Sequence, residues 1–390
     1  MNRIWERHDE TWRDPAQIVS HWQDAGSVDP SVLRFRTYGG WWDALATRDI
    51  TLIVSREYEH LLMGLSVEDG RPSISFMPMP HPSGVVADRR RGVVHVASTR
   101  NPNQVFDLVP VRGLRPRGDV RSDSPGARPL VPIRTRFFPG SLYMHDLALV
   151  GGALHANAVG ENAVIRLNDD GTYRRVWWPR CIERPDGPLF GRNHLQLNSI
   201  AAGPRINGSF FSASTDQVSA RRPGHRNFPV DGRGVIFSGR TREPIVRGLT
   251  RPHSARLLGN TLWVANSGYG ELAVYMDGRA ETVRRLPGWT RGLTFHHRVA
   301  FVGTSRVISR FRQYAPGLDV DSSRCGVHAV DTRSGEILGG IEWPAGNQVF
   351  GIDWVPREQA AGFVFTARNR RSDWPRKLFY AFSTRGNRGS

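Results

Sequence analysis

Met144-His145-Asp146-Leu147-Ala148-Leu149-Val150 runs into Gly151-Gly152, and Ala153-Leu154-His155-Ala156-Asn157 leads back out. Asn162 to Leu167, the turn Asn168-Asp169-Asp170-Gly171 and Tyr173 to Trp178 complete the unit. Short apolar runs bounded by Gly, Asn and Asp predict four antiparallel strands joined by tight turns. The same unit returns at Pro252-His253-Ser254-Ala255-Arg256-Leu257-Leu258, Gly259-Asn260, Thr261 to Ala265, Gly270 to Tyr275, Asp277-Gly278 and Glu281 to Leu286. A four-stranded unit repeated along a chain is the outline of a β-propeller blade.

Working outward, the first strand of that unit recurs at Gly84–Asp88, Asn198–Ala201, Arg291–Phe295 and Phe350–Trp354, which makes six. The strands at Ile50–Ser55, His60–Ser66 and Ser73–Pro78 lack a first strand, whereas Phe350–Trp354 lacks the rest of a blade. Joining the two ends predicts an all-β, six-bladed propeller closed by N- and C-terminal segments, a closure that removes open sheet edges. A seventh blade built from Gly362–Thr366 and Leu378–Phe382 is the alternative. Residues 1–34, with Trp12, Ile18, Val19 and Trp22 among polar residues, read as a short helical extension. Residues 35–390 read as one propeller domain, with a short helical turn at Trp41–Leu45 and Pro/Gly/Arg-rich insertions at Arg112–Arg128, Arg180–Arg192 and Ser214–Gly232.

The 390 residues are 39% hydrophobic and 23% charged, enough to bury a large core. No run approaches the ~18–20 apolar residues of a spanning helix, and Met1–Arg13 carries no signal-like apolar stretch. With only Cys181 and Cys325 and no disulfide framework, the expectation is a cytoplasmic protein without a membrane partner. The net charge is +17, and Lys377 is the single lysine among 53 basic residues. Schiff-base chemistry on pyridoxal phosphate would rest on Lys377 alone and is excluded. The arginine pairs and triplets, from Arg89-Arg90-Arg91 to Arg370-Arg371, are scattered, so they read as a solvated surface and not as a specific nucleic-acid site. No P-loop, Gly-x-Ser-x-Gly elbow, His-Glu-x-x-His or Cys-x-x-Cys is present, and no nucleotide cofactor is expected.

Pro252-His253-Ser254, Leu262-Trp263-Val264-Ala265-Asn266-Ser267-Gly268-Tyr269-Gly270-Glu271-Leu272, Arg291-Gly292-Leu293 and His145-Asp146-Leu147-Ala148 resemble the hallmark segments of the bacterial family DUF4915, a domain of unknown function. The resemblance spans about residues 35–356. It implies a propeller related in architecture to the gluconolactonase and strictosidine-synthase group, and it implies no reaction. Where the family pattern has a compact His-Leu-Asn-Gly, this chain has His194-Leu195-Gln196-Leu197-Asn198-Ser199, which leaves open whether His194 or Gln196 faces the site.

Inner strands of a propeller line its channel, and their first residues converge at one mouth. Here these are Phe350, Gly84, His145, Asn198, His253 and Arg291. Period-2 alternation adds His194 and Gln196 to the Asn198 face, and places Gln348 behind Phe350 and Trp289 behind Arg291. His145, His194, His253 and Asn198 suggest ligands for a divalent transition metal (Zn, Fe, Mn or Cu), calcium being disfavoured because no channel glutamate is apparent. His145, His253 and Arg291 are the catalytic candidates, and Arg291, Gln196, Gln348, Phe350 and Trp289 the substrate-binding ones. Asp146 alternates away from the channel. His155 and His296-His297 read as packed or solvent-facing, and His81 as a residue near the channel. The expected function is an enzyme for a small, anionic organic metabolite or peptide in specialised-metabolite biosynthesis. Hydrolase, lyase or isomerase chemistry is preferred to metal-dependent oxidation. The alternative is a non-catalytic arginine-rich scaffold for an acidic protein or polysaccharide; the oligomeric state is open.

Overall fold

In the unit that starts at Met144, the predicted alternation becomes one antiparallel sheet: Met144–Val150, Ala153–Ala158, Ala163–Leu167 and Tyr173–Trp177 pair in chain order. The computed structural model describes residues 25–26, 28–100, 103–111, 128–219, 223, 228–276 and 278–366. Six such sheets form a six-bladed β-propeller. The inner strands of blades 1 to 6 are Ile352–Pro356, Pro82–Asp88, Met144–Val150, Leu197–Ala201, Pro252–Leu258 and Trp289–His296. Apolar clusters fill the gaps between blades, and aromatic residues act as wedges: Trp177 of blade 3 lies 4.1 Å from Phe211 of blade 4.

The predicted closure is present. Ile352–Pro356 pairs antiparallel with Ile50–Arg56, so blade 1 combines both ends of the described chain. A second closure was not foreseen: Arg36–Gly39 pairs with Ile337–Glu342 and adds a fifth strand to blade 6. All four residues of Arg36–Gly39 are exposed, so alternation gave no sign of it. The seventh-blade alternative does not stand. Gly362–Phe363 adds to blade 2 beside Pro129, and Phe365–Thr366 adds to blade 1 beside Phe76, each capping an existing outer edge. Leu378–Phe382 and most of the N-terminal extension lie outside the described residues. Pro30–Leu33 is a 3-10 turn, and Trp41–Ala46 is the short helix expected there. No helix among the described residues is long and apolar enough to cross a membrane.

At the waist of the channel each blade is stitched to the next by a polar side chain. Gly292 N donates to Ser254 Oγ (2.8 Å), Ala255 N to Ser199 Oγ (2.8 Å) and Ile200 N to Asp146 Oδ2 (3.0 Å). Ser83 Oγ donates to Met144 O, Ser55 Oγ to Ser83 O, and Thr294 Oγ1 to Asp353 Oδ1, which completes the ring. These groups are buried, so each bond satisfies a donor or acceptor that would otherwise be costly to bury. The backbones also approach closely. A Cβ on Gly84 would stand 2.6 Å from Leu147 N, which is why blade 2 offers glycine at this level. The waist separates two cavities that share no lining residue, one at each mouth.

Candidate functional site at the channel mouth

Inner strands begin at the upper mouth, and five of the six carry a register shift there: between Pro82 and Val85, opposite Met144–Leu147, at Leu197–Ser199, at His253–Arg256 and at Thr290–Leu293. Bulges turn side chains out of simple alternation and commonly adjoin sites. Here they frame a cavity of about 180 Å³. That volume lies below the ~300–1,000 Å³ of drug-sized ligand sites, so it suits a compact ligand.

His145, Asn198, His253, Arg291 and Phe350 all line this cavity, and so do Gln196, Gln348 and Trp289. His194 does not. Alternation from Asn198 breaks at Gln196, which has φ 52° and closes a turn: Asn193 Nδ2 donates to Gln196 Oε1 and Gln196 N to Asn193 Oδ1. His194 is thereby placed outside the site, half-buried, its imidazole pushed down by burial and by Arg192 and Arg184. Gln196 takes the inward place. The expectation of a channel without glutamate is also corrected, because Glu57, from a 3-10 turn of blade 1, lines the cavity and accepts from Thr99 Oγ1.

Sequence reasoning missed Arg251 and Tyr143, although the two-residue step that leads from Phe350 to Gln348 and from Arg291 to Trp289 leads equally from His253 to Arg251 and from His145 to Tyr143. Applied to every blade, it would have found both. Tyr58 and Tyr314 arrive from 3-10 turns and Thr99 and Arg100 from a loop, where no strand periodicity points to them. His81 packs on His60 at 4.3 Å between ring centroids and stands 4.0 Å from Glu57, beside the cavity but not lining it.

The electrostatics are set by two buried guanidinium groups. Arg291 lies over the Phe350 ring, 3.3 Å from its centroid, and Arg251 over Tyr314 at 4.0 Å, with Arg251 Nη1 donating to Ser214 Oγ at 3.2 Å. Burial pulls each down to about 10, so both stay charged at neutral pH. Glu57 and Tyr58 work against burial at Arg291, and Tyr314 does so at Arg251. The His145 and His253 rings stack at 5.9 Å, each with an edge-to-face contact to Phe350. Burial, and then Arg291, push both imidazoles well below the ordinary histidine value, so they are neutral at pH 7.

The two imidazoles are not equivalent. A guanidinium has no acceptor, so Arg291 Nε must donate to His253 Nε2 across 3.1 Å. The lone pair of Nε2 is then committed, and the ring proton sits on Nδ1, 3.0 Å from Ser254 Oγ. His145 differs: its Nδ1 has no hydrogen-bond partner. Asn198 Nδ2 donates to Pro252 O at 2.9 Å, which leaves the Asn198 carbonyl oxygen for the contact it makes with His145.

This donor set does not fit the divalent metal expected from sequence. A metal on His253 would have to displace a guanidinium from Nε2 and sit beside its charge, and His194 is elsewhere. Among the described residues, no three His, Cys, Asp or Glu side chains are grouped to hold a metal ion.

Neutral buried imidazoles also predict a pH dependence. His328, held between Tyr38 Oη (2.7 Å) and Thr304 Oγ1 (2.9 Å), is pushed by burial down to about 4 from 6.5. Such a group contributes its full stability above pH 6.5 and loses it as pH falls towards the folded value, by up to about 1.4 kcal/mol per pH unit for each imidazole. Urea midpoints should fall from pH 6.5 to 4.5, less steeply in His328→Gln. Identical slopes would contradict this.

The family described as "Domain of unknown function (DUF4915)" matches residues 39–363. No curated protein matches the chain. Among solved structures, a chain of a nidogen/laminin complex aligns over 78% of this chain and 98% of its own at 10% identity, with a TM-score of 0.52. A putative oxidoreductase (glucose dehydrogenase) from Thermus thermophilus aligns over 79% and 99% at 15% identity, TM-score 0.44. A putative 6-phosphogluconolactonase from Bacteroides uniformis aligns over 77% and 84% at 14% identity, TM-score 0.40. At such identities the likeness concerns the fold alone.

Proposed function

The chain belongs to that DUF4915 family, and from this premise we propose that its upper cavity binds a compact organic anion on which His145 acts as the proton-transfer group. The observation that carries the reading is the placing of Arg251 and Arg291 in one buried cavity. A desolvated charge is costly unless paired, and the phenol ring of Tyr314 and the hydroxyl of Ser214 bring Arg251 no full negative charge. A carboxylate or phosphate between the two guanidinium groups supplies it. His253 fixes Arg291 through Nε2 and is a positioning residue. His145 lines the same cavity, and to it we assign the taking and returning of a proton. Hydrolysis, elimination and isomerisation beside a fixed anionic group can each use such a base, and they fit better than metal-dependent oxidation.

Small anions provide the test. Oxalate, malonate and inorganic phosphate should raise the melting temperature at matched ionic strength, and malonamide, a neutral isostere of malonic acid, should not. Equal shifts from malonamide and malonate, or no shift from any anion, would overturn the reading.

A further inference from the structure

The channel's lower mouth differs in character. Its cavity, about 360 Å³, is framed by all six inner strands and lined mainly by aliphatic and aromatic side chains, among them Val85, Leu147, Ile200, Leu257, Phe295 and Trp354. Arg89, Arg256 and Asp353 line its wall with Asp146 paired behind Arg256, and the four charges neutralise each other. Arg256 donates to both oxygens of Asp146 (2.6 and 2.8 Å), and Arg89 pairs with Asp353. The carboxylates are further saturated: Asp146 accepts from Leu147 N and Ile200 N, and Asp353 accepts from Ala87 N, Trp354 N and Thr294 Oγ1. No net charge is offered to a ligand, in contrast to the upper mouth with Arg100, Arg251 and Arg291 against Glu57.

We propose that this lower cavity is a second binding site, for an uncharged and mainly apolar small molecule. Two features support that class. The apolar lining gains from covering at about 25 cal/mol per Å², and a charged ligand would have to compete with finished ion pairs. The indole of Trp354 forms a fixed platform: its Nε1 donates to Phe295 O at 2.8 Å, Arg89 stacks over one face at 3.8 Å, and the His296 ring meets it edge-on at 4.6 Å. The site is independent of the anion cavity, from which the waist divides it.

The probe is 6-propionyl-2-(dimethylamino)naphthalene, a neutral naphthyl ketone whose emission moves to the blue in apolar surroundings. The full-length protein should bind it saturably, one per chain, with energy transfer from tryptophan that drops in Trp354→Phe. Ala202→Trp and Leu257→Trp place bulk in the cavity from partly exposed positions and should weaken binding at least tenfold without lowering the melting temperature; Arg291→Met should leave it unchanged. Absence of saturable binding, or full energy transfer in Trp354→Phe, would overturn the proposal. So would Ala202→Trp and Leu257→Trp variants that are folded and bind as the wild type does. A loss on Arg291→Met would place the probe in the upper cavity, which also overturns it.

Discussion

Asp146→Ala is expected to lower the unfolding free energy by about 3–5 kcal/mol, the usual cost of removing one partner of a buried ion pair. Asp146 is buried at the waist, and its carboxylate serves blades 3, 4 and 5 together. It accepts from Arg256 across two bonds, from Ile200 N and from Leu147 N. Burial alone would pull Arg256 down, yet Asp146 holds it above its ordinary value. Truncation leaves the Arg256 charge buried and the Ile200 N–H without its acceptor. The ring of cross-blade bonds opens at the junction between blades 3 and 4. Urea unfolding reads the effect as a lower midpoint at unchanged slope, and a loss below about 1 kcal/mol would show that the waist is not a major source of stability.

Arg291→Met should weaken anion binding at least about 30-fold, since truncating one side of a desolvated charge pair costs 2–5 kcal/mol. Arg251→Met should do the same. The stability effect is expected to be small, because a methionine of similar reach keeps the contact with Phe350 or Tyr314, and removing a desolvated charge offsets the lost bond to His253 Nε2 or Ser214 Oγ. Lost affinity with retained stability is the signature of a residue held for a ligand. Titration calorimetry with malonate, beside thermal melts, measures both. A variant that loses stability but binds as tightly as wild type would assign Arg291 to the scaffold.

The propeller was legible because its signal is repetitive. Gly-Gly, Gly-Asn and Asp-Gly punctuation around alternating runs marks blades 3 and 5, the first strand recurs in the others, and unmatched half-blades at Ile50–Pro78 and Phe350–Trp354 demand closure. Arg36–Gly39 was not legible, because it is held by its partner strand and has no apolar face of its own. Most of the upper cavity was readable by aligning inner-strand starts, since equivalent positions on a closed ring meet at the axis. Alternation failed at His194 because Gln196 adopts a left-handed conformation that nothing in its side chain announces. The preference for a metal arose from counting imidazoles. What decides against it is a contact between blades, Arg291 Nε to His253 Nε2, and residues 38 apart on neighbouring strands reveal such a bond only once folded.

The most direct measurement is a crystal structure of the protein grown with malonate. The account predicts a carboxylate lodged between the guanidinium groups of Arg251 and Arg291, with His253 Nε2 still accepting from Arg291. A metal ion bound through His145 and His253, or malonate absent from the upper cavity and bound elsewhere, would contradict it.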